Sequence, residues 1–227
     1  MSLQKIQGIL LLLIVLFTGA VHAQPESRFP LRVMALGEGE LPEVYVKAGA
    51  DYVLLEFSPT QPSLAVQATY ANPLPIYKRQ PTAAGKDDYT MTAKVPLPGS
   101  GKGILMLGWG GTDKADYLAI ADDFSGSSSA DWLLINGTKQ TLAMQLGKDT
   151  QFVKVPPGGA TPFRVMAELN KGAAVNIAEP AEGNKWKTFY STYWPIYPDR
   201  RCLVLFLNTG GKIKVKKISD IKPPAEN

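Results

Sequence analysis

Apolar residues in this chain recur at every second position or in short unbroken runs, and no helical period is sustained beyond the N-terminal segment. Alternation puts successive side chains on opposite faces of a strand. Short stretches rich in Val, Ile, Thr and Tyr, cut by Gly and Pro, read as strands joined by turns. Strands are predicted on this basis over Leu31–Leu36, Glu43–Lys47, Tyr52–Phe57, Leu64–Tyr70, Leu74–Arg79, Asp88–Val95, Ile104–Trp109 and Tyr117–Ala121. Phe124–Ala130, reading FSGSSSA, has the composition of a flexible connector. Near the C-terminus, Trp186–Trp194 and Cys202–Leu207 form two more strand-like runs on either side of Pro195–Arg201.

After the connector the pattern begins again. Trp132–Ile135 matches Arg32–Ala35, Met144 and Leu146 match Val44 and Val46, Phe152 and Val153 match Tyr52 and Val53, and Pro162 matches Pro62, all at an offset of one hundred. Tyr89, Pro98, Leu105 and Leu107 correspond in the same way to Phe189, Pro198, Leu205 and Leu207, and the offset slips to ninety-eight at Ile120/Ile218 and Asp122/Asp220. A shared offset across both ends of a unit indicates tandem duplication. A unit of this length with seven or eight short strands implies a β-sandwich. The expected fold is therefore all-β, with two tandem, internally duplicated β-sandwich units of immunoglobulin-like type. The repeats are placed at residues 29–124 and 131–222, with a Ser/Gly linker at 125–130 and a disordered tail at 223–227.

The first 23 residues read differently. One charge, Lys5, precedes the apolar run Ile9–Phe17, and Val21-His22-Ala23 supplies small residues at the −3 and −1 positions. That is the pattern of a cleaved secretory signal peptide. The apolar run is too short to span a bilayer, which takes about 20 residues. Export to the periplasm or the extracellular space follows as the expectation, with no transmembrane segment.

Composition narrows the chemistry. The formal charge of +4 is too small to imply a nucleic-acid partner, and the basic run Lys212–Lys217 alternates as the solvated side of an edge strand does. The only histidine, His22, lies in the signal segment, and Cys202 is the only cysteine. A mature chain without histidine has no Ser-His-Asp triad, no Cys-His pair and no His-ligated metal. One cysteine permits no internal disulfide, and Cys202, opening an apolar strand, reads as a buried small residue. Neither a cofactor nor a metal is expected. Asn136-Gly137-Thr138 fits both a glycosylation site and an Asn-Gly turn.

Two functional features remain. In Asp87–Val95 the odd positions (Asp87, Tyr89, Met91, Ala93, Val95) read as the core face and the even positions (Asp88, Thr90, Thr92, Lys94) as the wet face. The same register carried to the second copy puts Phe189 and Tyr193 on the core side. Trp186, Tyr190 and Trp194 then lie on the face that was polar before. Such an aromatic strip stacks on sugar rings or anchors a protein, unless the sister repeat covers it. The carboxylates Asp87-Asp88, Asp113 with Asp116, Asp122-Asp123 and Glu56 are the remaining catalytic resource. Adjacent strand residues point apart, which suits no glycosidase dyad. The leading expectation is thus an exported, non-catalytic binding or envelope-assembly module. A carbohydrate-binding protein using Trp186, Tyr190 and Trp194 comes second, and a carboxylate-dependent glycoside hydrolase third.

Overall fold

The computed structural model describes residues 27–37, 39–81, 87–101, 103–122, 131–147, 151–165, 171–197 and 200–221. The expected signal segment, linker and tail lie outside them. The first half holds β1 (Arg28–Ala35), β2 (Tyr45–Ala48), β3 (Asp51–Leu54), β4 (Val66–Thr69), β5 (Leu74–Pro81), β6 (Asp87–Val95), β7 (Ile104–Gly110) and β8 (Ala115–Ala121). The second holds β9 (Asp131–Asn136), β10 (Leu142–Leu146), β11 (Val153–Val155), β12 (Ala160–Arg164), β13 (Gly172–Ala181), β14 (Lys185–Pro195), β15 (Arg200–Thr209) and β16 (Lys212–Ile221). The only helical element among the described residues is a single 3-10 turn at Glu182–Asn184.

The two halves repeat one connectivity. In the first, an inner sheet β4-β1-β7-β8 faces an end sheet β3-β2-β5-β6. In the second, the inner sheet is β12-β9-β15-β16 and the end sheet β11-β10-β13-β14. The parallel contacts among the described residues also correspond: β1 beside β7, and β9 beside β15. The chain is all-β and built of β-sandwich units. The correspondence does not run at a constant shift, however. Leu31 pairs with Ile104 and Trp132 with Cys202, and each of the four faces its own repeat's core. Leu31 therefore answers to Trp132 and Ile104 to Cys202. The uniform offset of the sequence comparison fails because the connecting loops differ in length between copies.

Burial explains the layering. Leu31, Val33, Val46, Ile76, Ile104 and Met106 fill the first sandwich; Trp132, Met144, Val175, Ile177, Val204 and Phe206 fill the second. A third cluster lies between the inner sheets: Met34, Leu105, Leu107 and Ile120 from the first copy, with Leu133, Ile135, Leu203, Leu205 and Ile218 from the second. The molecule is thus a stack of four sheets, end–inner–inner–end. Strands β7 and β15 are buried on both sides, which is why they read ILML and CLVLFL with no polar alternation. Each fully buried aliphatic side chain is worth about 1.5–3 kcal/mol, so the third cluster contributes to holding the repeats together.

Local chemistry sets the turns. The β15–β16 hairpin closes Thr209 on Lys212 through Gly210-Gly211, both at positive φ, the backbone a two-residue turn with right-handed strand twist requires. Both end-sheet hairpins contain a β-bulge. In β5–β6 the register steps between Ile76 and Tyr77, leaving Thr92 opposite no partner; in β13–β14 it steps between Ile177 and Ala178, leaving Phe189 so. An extra residue turns every later side chain to the other face.

Candidate binding surfaces

The bulge at Phe189 overturns the aromatic strip expected on β14. Before it, Trp186 points outward, opposite Pro180. Beyond it, Phe189 and Tyr190 both pack toward the second core, and Trp194 is part of that core, 9 % exposed and 5.8 Å from the Trp132 ring. Tyr193, expected inside, is 63 % exposed. Tyr190 and Trp194 therefore share the core face, their rings 6.1 Å apart, while Trp186 lies on the opposite one. None of the three forms the contact between repeats, which the inner sheets provide.

The same bulge in the first copy corrects Tyr89 and Met91, expected in the core, to the outward face; Met91 is 47 % exposed. There Tyr89 joins one tyrosine from each other strand of its sheet. Tyr52 stacks on Tyr89 with centroids 4.0 Å apart, Tyr45 meets Tyr89 edge-on at 5.3 Å, and Tyr77 meets Tyr52 at 4.9 Å. The Arg79 guanidinium lies 6.0 Å from the Tyr45 ring and 3.6 Å from Asp87. Desolvation in this cluster, then the Asp87 carboxylate, pushes the Tyr89 phenol up.

The second copy has the counterpart. Phe152, preceding β11, stacks with Trp186 of β14 at 6.4 Å, and Lys154 Nζ lies 6.0 Å from the Trp186 ring. Between them Ala143 and Ala178 pair where Tyr45 and Tyr77 pair in the first copy. Both alanines are fully buried although they face away from the core. On that face Lys154 stands opposite Ala143 and Thr188 opposite Ala178. Each end sheet thus carries a ring from its first edge strand or the approach to it, stacked on a ring from its last edge strand, with a cation alongside.

Charge is concentrated elsewhere. Arg32 of β1 makes a two-pronged contact with Asp220 of β16, Nη1 to Oδ2 at 3.0 Å and Nη2 to Oδ1 at 2.5 Å, and its Nη1 is 3.4 Å from Asp122. Arg201 Nη2 donates to Asp220 Oδ2 from within the second repeat. All four residues lie at the seam between the inner sheets. Burial raises the Asp122 carboxyl above the usual range, against the pull of Arg32 and Arg201; burial lowers Arg201, against Asp220 and Asp122. A groove of about 620 Å3 opens beside the seam, lined by Arg32, Glu56, Phe57, Gln61, Leu64 and Asp220. Of its two carboxylates, Asp220 is held by two guanidinium groups and Glu56 is exposed. The pairing fixes Asp220 between the two repeats. The other acids considered are scattered: Asp87, Asp88, Asp113 and Asp116 are exposed on strands and a hairpin, and Asp123 lies outside the described residues.

Three smaller readings resolve here. Lys216 and Lys217, expected on a solvated side, are engaged: Lys216 Nζ donates to Pro59 O of the other repeat (2.7 Å). Lys217 Nζ donates to Pro195 O (2.9 Å) and lies 5.1 and 5.6 Å from the Trp132 and Trp194 rings. Asn136 is fully buried; its Nδ2 donates to Gln140 O and Val155 O, and its Oδ1 accepts from Thr138 N and Oγ1. With every side-chain position taken, it is a turn residue and offers no nitrogen to a glycan. Cys202 is buried, and burial pushes its thiol up to about 11.

No helix among the described residues is long and apolar enough to cross a membrane. Comparison of the sequence with protein-family models and with curated proteins finds no match.

Proposed function

We propose that this protein is an exported, non-catalytic binding module in which the end sheets of two immunoglobulin-like sandwiches serve as recognition faces. One observation carries the reading. The outward faces of the inner sheets are consumed by the contact between repeats, while both end sheets keep a stacked ring pair and a cation on the face turned away from the cores. Exposed aromatic side chains bury much area at low entropy cost when a partner arrives, which is why they dominate recognition surfaces. The N-terminal signal pattern supports delivery outside the cytoplasm.

Two measurements test this. N-terminal sequencing of the exported protein is expected to begin at Gln24. A benzophenone side chain placed at Met91 or at Thr188, on the first and second end-sheet faces, is expected to yield adducts with a protein or a glycan on irradiation in the source cells. A mature chain that retains residues 1–23, or the absence of any adduct at both positions, would count against the module as proposed.

A further inference from the structure

The outward face of the second end sheet carries more than rings. Gln145, Asn176 and Ser191 stand opposite one another on β10, β13 and β14. Their side chains form a hydrogen-bonded row across the strands: Asn176 Nδ2 donates to Gln145 Oε1 (3.0 Å), and Ser191 Oγ donates to Asn176 Oδ1 (2.8 Å). On one side of this row lies Trp186, opposite Pro180; on the other lies Tyr193, opposite Ala174. The two rings are separated along β13 by about 20 Å at the usual ~3.3 Å per residue.

Tyr193 is held in a particular attitude. Its hydroxyl accepts from the Gly172 N–H at 3.0 Å, and a β-carbon at Gly172 would fall 2.0 Å from Cε1 of the ring. The ring therefore lies down over the glycine, along the sheet, and turns a broad side to solvent. Glycine at 172 is what makes that possible. Among the described residues of this face the only charge is Lys154, whose ammonium sits beside the Trp186 ring.

We infer that this face binds a neutral glycan chain, laid along β13 and β14 from Tyr193 toward Trp186. The inference rests on the binding-module reading and adds the ligand's chemistry. A pyranose ring has an apolar C–H side and a rim of hydroxyls. A recumbent aromatic covers the first. A row of carboxamide and hydroxyl groups, holding donors and acceptors side by side, serves the second. A polyanion or polycation would meet almost no countercharge here. A protein anchor needs a deep, desolvated pocket, and this face is a flat strip with polar groups at its centre.

The test is calorimetric titration of the full mature chain with soluble neutral hexasaccharides of gluco-, xylo- and manno-type, with oligogalacturonate as the charged probe. Binding to at least one neutral hexasaccharide is expected. It should weaken about tenfold or more in Tyr193→Ala and in Asn176→Ala, and remain unchanged in Trp109→Ala, an exposed ring on β7 that belongs to neither end sheet. Thermal melts of the same variants show whether each is folded, and Tyr193→Phe, which keeps the ring, is expected to retain most of the affinity. Binding that Tyr193→Ala and Asn176→Ala leave intact, or binding to oligogalacturonate alone, overturns the assignment. No binding to any of these sugars, with adducts to a protein still formed at Thr188, overturns the glycan and leaves the module reading standing.

Discussion

Asp220 ties the two repeats together at the seam, since its carboxylate binds the guanidinium groups of both Arg32 and Arg201. Removing one partner of a buried ion pair leaves a charge uncompensated, at a cost of about 3–5 kcal/mol. Asp220→Ala is accordingly expected to lower unfolding free energy by that amount in urea titrations. Asp122→Ala should cost less, because Arg32 keeps its two-pronged contact with Asp220. Equal losses for the two would contradict the geometry. At Cys202, a thiol raised in the folded state favours the native protein fully below its ordinary pKa of 9.0, and this contribution disappears as pH rises through about 11. The melting temperature of Cys202→Ala should therefore fall less steeply than that of the parent between those values. The thiol should also resist alkylation at neutral pH until the protein unfolds. Cys202 was legible as a buried residue from its apolar neighbours alone. The charge cluster was not, because its members come from β1, β15, β16 and the residue just past β8, which only the folded topology brings together.

At the scale of the element, β14 shows how alternation reads and misreads a strand. The strand itself follows from the run of Trp, Thr, Phe and Tyr, but its hairpin partner β13, Gly172–Ala181, was not predicted. The faces of β14 do not follow either. The bulge at Phe189 inserts one residue without a Gly or Pro to mark it, as does that at Thr92, so a register carried along the strand inverts midway. Trp186 was placed on the outward face, but Trp194 exchanged places with Tyr193. Large-to-small substitution in a filled core costs about 3–5 kcal/mol for Phe or Trp, whereas an exposed side chain clear of special contacts costs about 0.5 kcal/mol or less. Trp194→Ala is thus expected to destabilise severely and Tyr193→Ala only slightly, its one bond to Gly172 adding little. The opposite ranking in chemical denaturation would restore the strip that alternation alone suggests.

Across the whole molecule, the duplication was visible as a recurring apolar pattern, and the all-β class as the absence of a helical period. The four-layer stack was not read from the chain, although it leaves a mark there: Ile104–Leu107 and Cys202–Leu207 are apolar on both faces because sheets lie on both sides of them. What pattern could not supply was which faces meet, since inner and end sheets use the same residue types. An apolar contact of this extent joins the repeats into one body. A charge placed in it, as in Leu105→Asp, should separate them, seen as a second unfolding transition or as self-association. The binding account depends on inner sheets closed against each other and end sheets open. Hydroxyl-radical oxidation followed by mass spectrometry compares the two directly through one side-chain chemistry: Met34 lies between the inner sheets at 0 % exposure, and Met91 on the first end sheet at 47 %. The account predicts that Met91 oxidises many times faster than Met34 in the native protein. Comparable rates, or a faster Met34, would contradict it.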